Sequence, residues 1–498
     1  MRTSFPGNYQ QQTTPIEGVV FQLRTRHELV PVLVALQHLY RLPDVCGQLL
    51  RLVAQDINQG TQAQRGRPGL SYWEILVLAA VRLACNLNYD ALQDLAENHR
   101  SLRQLMGVDD EPVAADVSAP YLWHRLRDNL CRLRPDTLKQ INQVIVSLGH
   151  ALEPSAAQQV RGDSFVLQTN IHFPTEASLL GDGCRKILDL VRDLRPLLPL
   201  QAWRQQHWRQ LLKKALWQVS RASRSKGQKG PLLKLRAYQN LYALTRRLLA
   251  RAQPLLEQVA GRLSEVAVLT SPVRALYEHL QGFVQRTTQV LDYSQRRVLH
   301  GETIANDEKL FSMFEPHTQL INRGKQPQPI EFGHRVLVVE DAVGFLCHYH
   351  LLDNAETDES ILIPQMTQLK ERQTEIRSAS FDSGFHTPAN QEALATLVPV
   401  ACIPMRGAKQ ARQQAEQADS AFQEARRAHP GVEALIGVLQ RGNGLKRCRD
   451  RGLPGYARYL GLAVLGHNLH TLGKLLLRQQ DADSLAGATK RKRRPLAA

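Results

Sequence analysis

None of the seven cysteines in this 498-residue chain forms a CxxC pair. Single scattered thiols exclude a zinc finger and a disulfide scaffold, and they fit a reducing cytosol. Long apolar runs are also missing. Ile75–Ala84 is broken by Arg82, and Leu460–Leu477 by His467, Asn468 and Lys474, short of the roughly 20 clean residues that span a membrane. The opening MRTSFPGNYQQQ lacks the apolar centre of a secretory signal, so a cytoplasmic protein without membrane partners is expected. No GxxxxGK[ST] loop supports ATP use. Carboxylates are missing altogether from residues 201–250, which carry 12 Lys+Arg.

That last absence locates the charge. The chain holds 63 Lys+Arg against 46 Asp+Glu, a formal +17, whereas residues 1–150 are nearly balanced at 15 against 14. The acid-free segment and the five cations of the tail, Lys490, Arg491, Lys492, Arg493 and Arg494, together equal the net charge. Trp203, Trp208, Trp217, Tyr238 and Tyr242 interleave with the cations, and Ser223–Gly230 reads as a flexible basic loop. Lysine and arginine supply phosphate contacts, and aromatics stack on exposed bases. Arg204, Arg209, Lys213, Lys214, Arg221, Arg224, Lys226 and Lys229 are therefore candidate DNA contacts. A solvated helix face is the plainer alternative.

With 43% hydrophobic and 22% charged residues the chain should fold. Residues 1–150 read as helical. Ser71–Asn86 is apolar on nearly every side, Asn88 can cap a second helix, and Ser101 a third through Met106. Gln55–Gly69 looks like a linker or exposed loop. A strand pattern follows at Gln159–Gln168, then a long helical block at 178–305. Arg335–Val339 and Phe345–Leu352 form a hairpin about Gly344, and Thr357–Arg372 a helix. Ile376–Phe381 and Leu397–Ile403 are strands, Gly407–Arg427 a polar helix, Pro430 opens another, and Tyr456–Arg478 is the last. The order suits an α/β fold with a mixed sheet, interrupted by a helical insertion.

Two-metal phosphoryl chemistry needs carboxylates from separate chain segments at one point. Asp163 lies in the first strand, Asp382 at the end of a later one, and Glu433 in the first turn of a helix. Position alone leaves the alternatives open, since a strand-end Asp often serves a turn and a first-turn Glu the helix dipole. Glu340 and Asp341 are rivals for a metal-site role. His317, His334, His348 and His350 read as packing or surface residues, and Cys184, Cys347 and Cys402 as core.

Four blocks resemble bacterial insertion-sequence DDE transposases. Asp163 leads through Thr169-Asn170-Ile171-His172, Pro174-Thr175 and Ser178-Leu179-Leu180 to Asp182-Gly183, similar to the family's first-aspartate block. Phe314-Glu315-Pro316-His317-Thr318, Gly324-Lys325 and Glu331-Phe332-Gly333-His334 resemble the second. Phe381-Asp382-Ser383-Gly384-Phe385 is similar to the second-aspartate block. Gly431-Val432-Glu433 with Gly442-Asn443-Gly444-Leu445-Lys446-Arg447-Cys448-Arg449 resembles the glutamate block. The likeness runs from about residue 65 to 475 and points to the ISNCY-type group. Where several relatives carry Arg and Lys around the glutamate, this chain has His429 and Gln440, with Arg441 next.

The resemblance implies an RNase H-like catalytic core in which Asp163, Asp382 and Glu433 hold two Mg²⁺ or Mn²⁺ ions. It implies a transposase that cleaves the 3′ ends of its element and transfers them to target DNA, acting as a homodimer or larger assembly. Arg441, Lys446 and Arg447 become further candidate DNA contacts. The expected organisation is an all-α DNA-binding or assembly domain at 1–150, core at 155–175, basic helical insertion at 176–305, core again at 306–478, and a basic tail at 479–498. The rival functions are a catalytically inactive, domesticated DNA-binding protein and an RNase H-like nuclease without strand transfer.

Overall fold

The computed structural model describes residues 3–5, 14–23, 27–59, 69–108, 121–198, 200, 203–265, 271–322, 324, 329–405 and 419–492. Lys325, Arg493, Arg494, the 60–68 part of the expected Gln55–Gly69 linker and the 407–418 part of the expected polar helix lie outside them. The chain is mixed α/β and divides into two compact units, residues 1–168 with 334–498, and residues 169–333.

Among the described residues, seven α-helices open the first unit. They are α1 (Leu29–Tyr40), α2 (Pro43–Ile57), α3 (Tyr72–Ala84), α4 (Tyr89–Asn98), α5 (Arg100–Met106), α6 (Trp123–Leu130) and α7 (Pro135–Leu152). Ser71 and Glu74 cap α3 reciprocally, Glu74 N donating to Ser71 Oγ and Ser71 N to Glu74 Oε2. Asn88 caps α4 through Ala91 N, as its place in the sequence predicts. Helix α5 differs: His99 Nδ1, not Ser101, accepts the capping N–H from Leu102, because the helix starts two residues earlier than Ser101 would require. The start of the expected linker is also helical, since α2 runs to Ile57.

The sheet contains β1 (Gln159–Gln168), β3 (Ile330–Asp341), β4 (Leu346–Leu351), β5 (Ser378–Phe381) and β6 (Val400–Cys402). Its order is β4-β3-β1-β5-β6. β3 and β4 are an antiparallel hairpin whose turn puts Gly344 at φ +103°, a conformation glycine adopts without a Cβ clash. β1 runs antiparallel to β3, as the bonds Ala342 N to Ala156 O and Thr169 N to Phe332 O require, and parallel to β5, which is parallel to β6.

Period-two alternation sends neighbouring residues to opposite faces. Val336 and Val338 of β3, with Phe165 and Leu167 of β1, join one core with residues of α1–α7. Two C-terminal helices, α15 (Pro430–Arg441) and α16 (Gly452–Lys492), join the same core. Leu337 and Val339 face the other way, onto α12 (Asp358–Arg372) and α13 (Pro388–Leu397). The N-terminal helices thus have no separate core. Buried α16 packs against α1, α3 and α7 and ties them to the sheet. No helix among the described residues is long and apolar enough to cross a membrane.

The second unit is built on α8 (Glu176–Leu194), α9 (Gln205–Ser223), α10 (Gly230–Glu265) and α11 (Ser271–His300). A short strand, β2 (Gln319–Asn322), pairs with residues 330–333 at the start of β3. Thr175 and Ser178 cap α8 reciprocally, and Asp182 binds His172 Nε2 at 2.7 Å. These bonds give the spacing of the His172-to-Gly183 block a structural cause.

The first unit also contains a titration that can be measured. His348 on β4 is enclosed by Gln365 and Arg372, at 2.7 Å from its Nε2 and 2.8 Å from its Nδ1. Arginine only donates, so Nδ1 accepts and the ring is neutral. Burial lowers its pKa from 6.5 to about 4. The unfolded chain binds a proton there below about pH 6.5 and the folded chain does not until about pH 4, so stability is lost as pH falls through that window. His348→Gln should therefore show a smaller drop in melting temperature between pH 6.5 and 4.5 than wild type. An equal drop would place the acid sensitivity elsewhere.

Candidate active site

Asp163 and Asp382 share one face of the sheet, and Glu433 lies on a helix packed over that face. In the parallel β1–β5 pair, Gly162 is opposite Phe381, so Asp163, the next residue of β1, lies beside Asp382, the residue that follows β5. The ring of Phe381 covers Gly162 so closely that a Cβ would lie 2.4 Å from it. Phe381 and Ala379 face the α12–α13 core, which turns Ser380 and Asp382 to the opposite face. On β1, Arg161 and Asp163 have the same parity as Phe165 and Leu167 and share that face. Helix α15 packs on β1 there, with Glu433 exposed in its first turn.

Asp163 is half-buried, and its Oδ1 accepts from Ser164 N at 2.7 Å. Asp382 is exposed and caps a short 3₁₀ turn, accepting from Ser383 N and Ser383 Oγ on one oxygen. His429, just before α15, stands 3.3 Å from Ser380 Oγ through Nδ1. Burial lowers its pKa below the usual histidine value, against the pull of Asp382 and Glu433. Both acids therefore act on one ring, which ties the end of β5 to the start of α15.

The basic companions differ in their freedom. Residues 446–448 run beside the end of β1, with Gln168 N donating to Lys446 O and Cys448 N to Gln168 O. Lys446 and Arg447 are thereby fixed in backbone and exposed in side chain. Arg441, also exposed, ends α15.

The rivals have structural explanations. Asp341 is fully buried, and its Oδ1 accepts from Val343, Gly344 and Phe345 N, closing the hairpin turn. Its Oδ2 binds His150 Nε2 at 2.8 Å, with Cys347 Sγ 3.9 Å from the same nitrogen. Burial, then Asp341 and Glu340, push the Cys347 thiol well up, away from the thiolate a metal needs. Glu340 pairs with Arg161. Among the histidines, His350 pairs with Glu356, His317 with Glu315, and His334 lies against Tyr456. Cys184 and Cys402 are buried.

In the second unit, Arg204, Lys213, Lys214, Arg221, Arg224, Lys226 and Lys229 are exposed, while Arg209 pairs with Asp189. The base-stacking role expected of the aromatics is corrected by their burial. Trp203, Trp208, Tyr238 and Tyr242 lie inside the helical core, and only Trp217 of the five is open, at 58% exposure. Trp208 lies on one helical face with Leu212, Ala215 and Val219, a spacing that signals packing. Trp217, Arg221, Arg224 and Arg236 line an open cavity of about 620 Å³ between α9 and α10.

Residues 400–473 match the family described as the transposase DDE domain. Comparison with curated proteins and with solved structures gives no match. The matched stretch contains β6, Glu433 on α15 and most of the buried length of α16. Residues 400–473 are thus similar to the transposase DDE domain family, in keeping with the likeness to insertion-sequence DDE transposases carried by the sequence blocks.

Proposed function

We propose that this protein is a DNA transposase of the ISNCY-type group. In this reading it cleaves the 3′ ends of its insertion sequence and joins them to target DNA. The observation that carries the reading is the register that brings Asp163 beside Asp382 under the helix of Glu433. The strand order supports an RNase H-like core: an antiparallel β4-β3-β1 run, then β5 and β6 parallel to β1.

The donor set fits divalent ions of the magnesium type. Three carboxylates, two of them exposed, are hard oxygen ligands, and the set contains no soft donor. Asp163, Asp382 and Glu433 would hold two Mg²⁺ or Mn²⁺, which supply charge neutralisation and a more acidic water or 3′-hydroxyl. Everything else falls to the chain. In this reading β1 and the end of β5 hold the first two carboxylates, and α15 brings the third toward them. Lys446, Arg447 and Arg441 bind backbone phosphates near the acids, and neutral His429 keeps Ser380 and the α15 start in place.

The α9–α10 cations contact DNA backbone in the second unit. The N-terminal helices recognise element ends, and two ends imply at least a dimer. Neutralising Arg221, Arg224, Lys226 and Lys229 should weaken binding and flatten its salt slope, by up to about 0.9 for each phosphate left without its cation. An unchanged slope would make the segment a solvated surface.

The functional test is strand transfer with end DNA and Mg²⁺. Joined products from wild type and none from Asp163→Ala, Asp382→Ala or Glu433→Ala are expected. Cleavage without joining would favour a nuclease, and binding without cleavage a domesticated protein.

A further inference from the structure

We infer that Arg161 is a positioning residue, which sets the third carboxylate by clamping α15 to the sheet; this rests on the proposed carboxylate triad. Arg161 lies two residues before Asp163 on β1 and on the same face. Its Nε donates to Glu340 Oε1 of β3 at 2.5 Å, and its Nη1 donates to the carbonyl of Ala428 at 2.9 Å. Ala428 ends α14 (Ser420–Ala428), immediately before His429 and α15. One guanidinium therefore spans β3, β1 and the junction that launches the Glu433 helix.

The fit is close. At Gly431, a Cβ would stand 2.3 Å from Arg161 Cζ and Nη1 and 2.7 Å from Nη2. Something would have to move, and backbone and guanidinium are both held. Gly431 thus lets the first turn of α15 rest on Arg161, two residues before Glu433. The anchor is firm because Glu340 is buried, its carboxyl pushed up by burial and pulled back by Arg161. Lysine would not reproduce this, since a single ammonium lacks the planar fork that reaches two fixed acceptors.

Arg161 is argued to act through Glu433, so the readout must follow the metal site and not activity alone. Mn²⁺ binding to the full-length protein would be followed by electron paramagnetic resonance, with melting temperature recorded in parallel. Arg161→Ala should weaken Mn²⁺ binding by roughly 10–100-fold, the range typical when outer supports of metal ligands are removed. Arg161→Lys should recover little. Arg161→Ala/Glu340→Gln, which leaves no uncompensated buried charge, should remain folded and stay weak.

Gly431→Ala alone should also weaken binding, because its methyl meets the guanidinium. Added to Arg161→Ala it should cost nothing further, since the obstructing group has gone. Wild-type Mn²⁺ affinity in a folded Arg161→Ala variant would overturn the inference, and so would additive losses in the Gly431→Ala pair. Asp163→Ala separates this from the larger reading: undiminished binding there would remove the triad itself, whereas abolished binding there with normal binding in Arg161→Ala would remove only the clamp.

Discussion

Alanine at Asp163 or Asp382 is expected to lower 3′-end cleavage by at least about 10³-fold, some 4 kcal/mol of transition-state stabilisation. The fold should survive. Asp382 is exposed and Asp163 half-buried, and substitutions at such sites usually change stability by only about 0.5 kcal/mol. Asp163→Asn and Asp382→Asn keep the bonds from Ser164 N and Ser383 N but remove the charge, so they should be nearly as inactive. Single-turnover cleavage of end DNA, with melting curves on the same preparations, separates the two effects. Activity within tenfold of wild type in a folded variant would remove that residue from the site.

The largest expected fall in stability lies elsewhere. Arg82 of α3 and Asp450, just before α16, form a buried pair at 2.6 Å, with side-chain exposures of 1% and 4%. A second bond at 3.3 Å makes the pairing two-pronged, and the guanidinium rests on the Tyr89 ring at 4.0 Å. Removing one partner strands a buried charge, which costs about 3–5 kcal/mol. Asp450→Ala should be destabilised to that extent in denaturant unfolding. Arg82→Met/Asp450→Leu should recover most of it, because neither charge then needs a partner. A change below about 1 kcal/mol in Asp450→Ala would mean that water reaches and solvates the Arg82 guanidinium and that of Arg458, 3.6 Å from Asp450 in the intact protein.

The fold is legible in the sequence where the signal is local. Alternation alone marks the limits of β1, and Thr357 and Pro430 mark the starts of α12 and α15. It is illegible where a competing signal lies nearby. Leu397 reads as the start of a strand but ends α13, a helix capped by Thr387 and opened by Pro388. β2 is four residues long, too short to show alternation. The aromatics of 201–250 stand out for their company of cations, while the spacing of Trp208 with Leu212 and Val219 carries the packing information.

The candidate site divides in the same way. Asp163, Asp382 and Glu433 emerge from motif blocks, each local to one segment. Arg161, Glu340 and Gly431 have no such signal as a group, because 179 residues separate Arg161 from Glu340 and 267 separate it from Ala428. Only the fold brings them together.

The central claim is that three distant segments hold divalent ions at one point. Iron-directed cleavage tests it most directly: Fe²⁺ replaces the native ion, and locally generated radicals cut the backbone beside its ligands. The account predicts three clusters of cuts, near residues 163, 382 and 433, all suppressed by excess Mg²⁺ and all abolished together in Asp163→Asn. Cuts confined to other segments, or cuts near 163 that leave 382 and 433 intact, would contradict it.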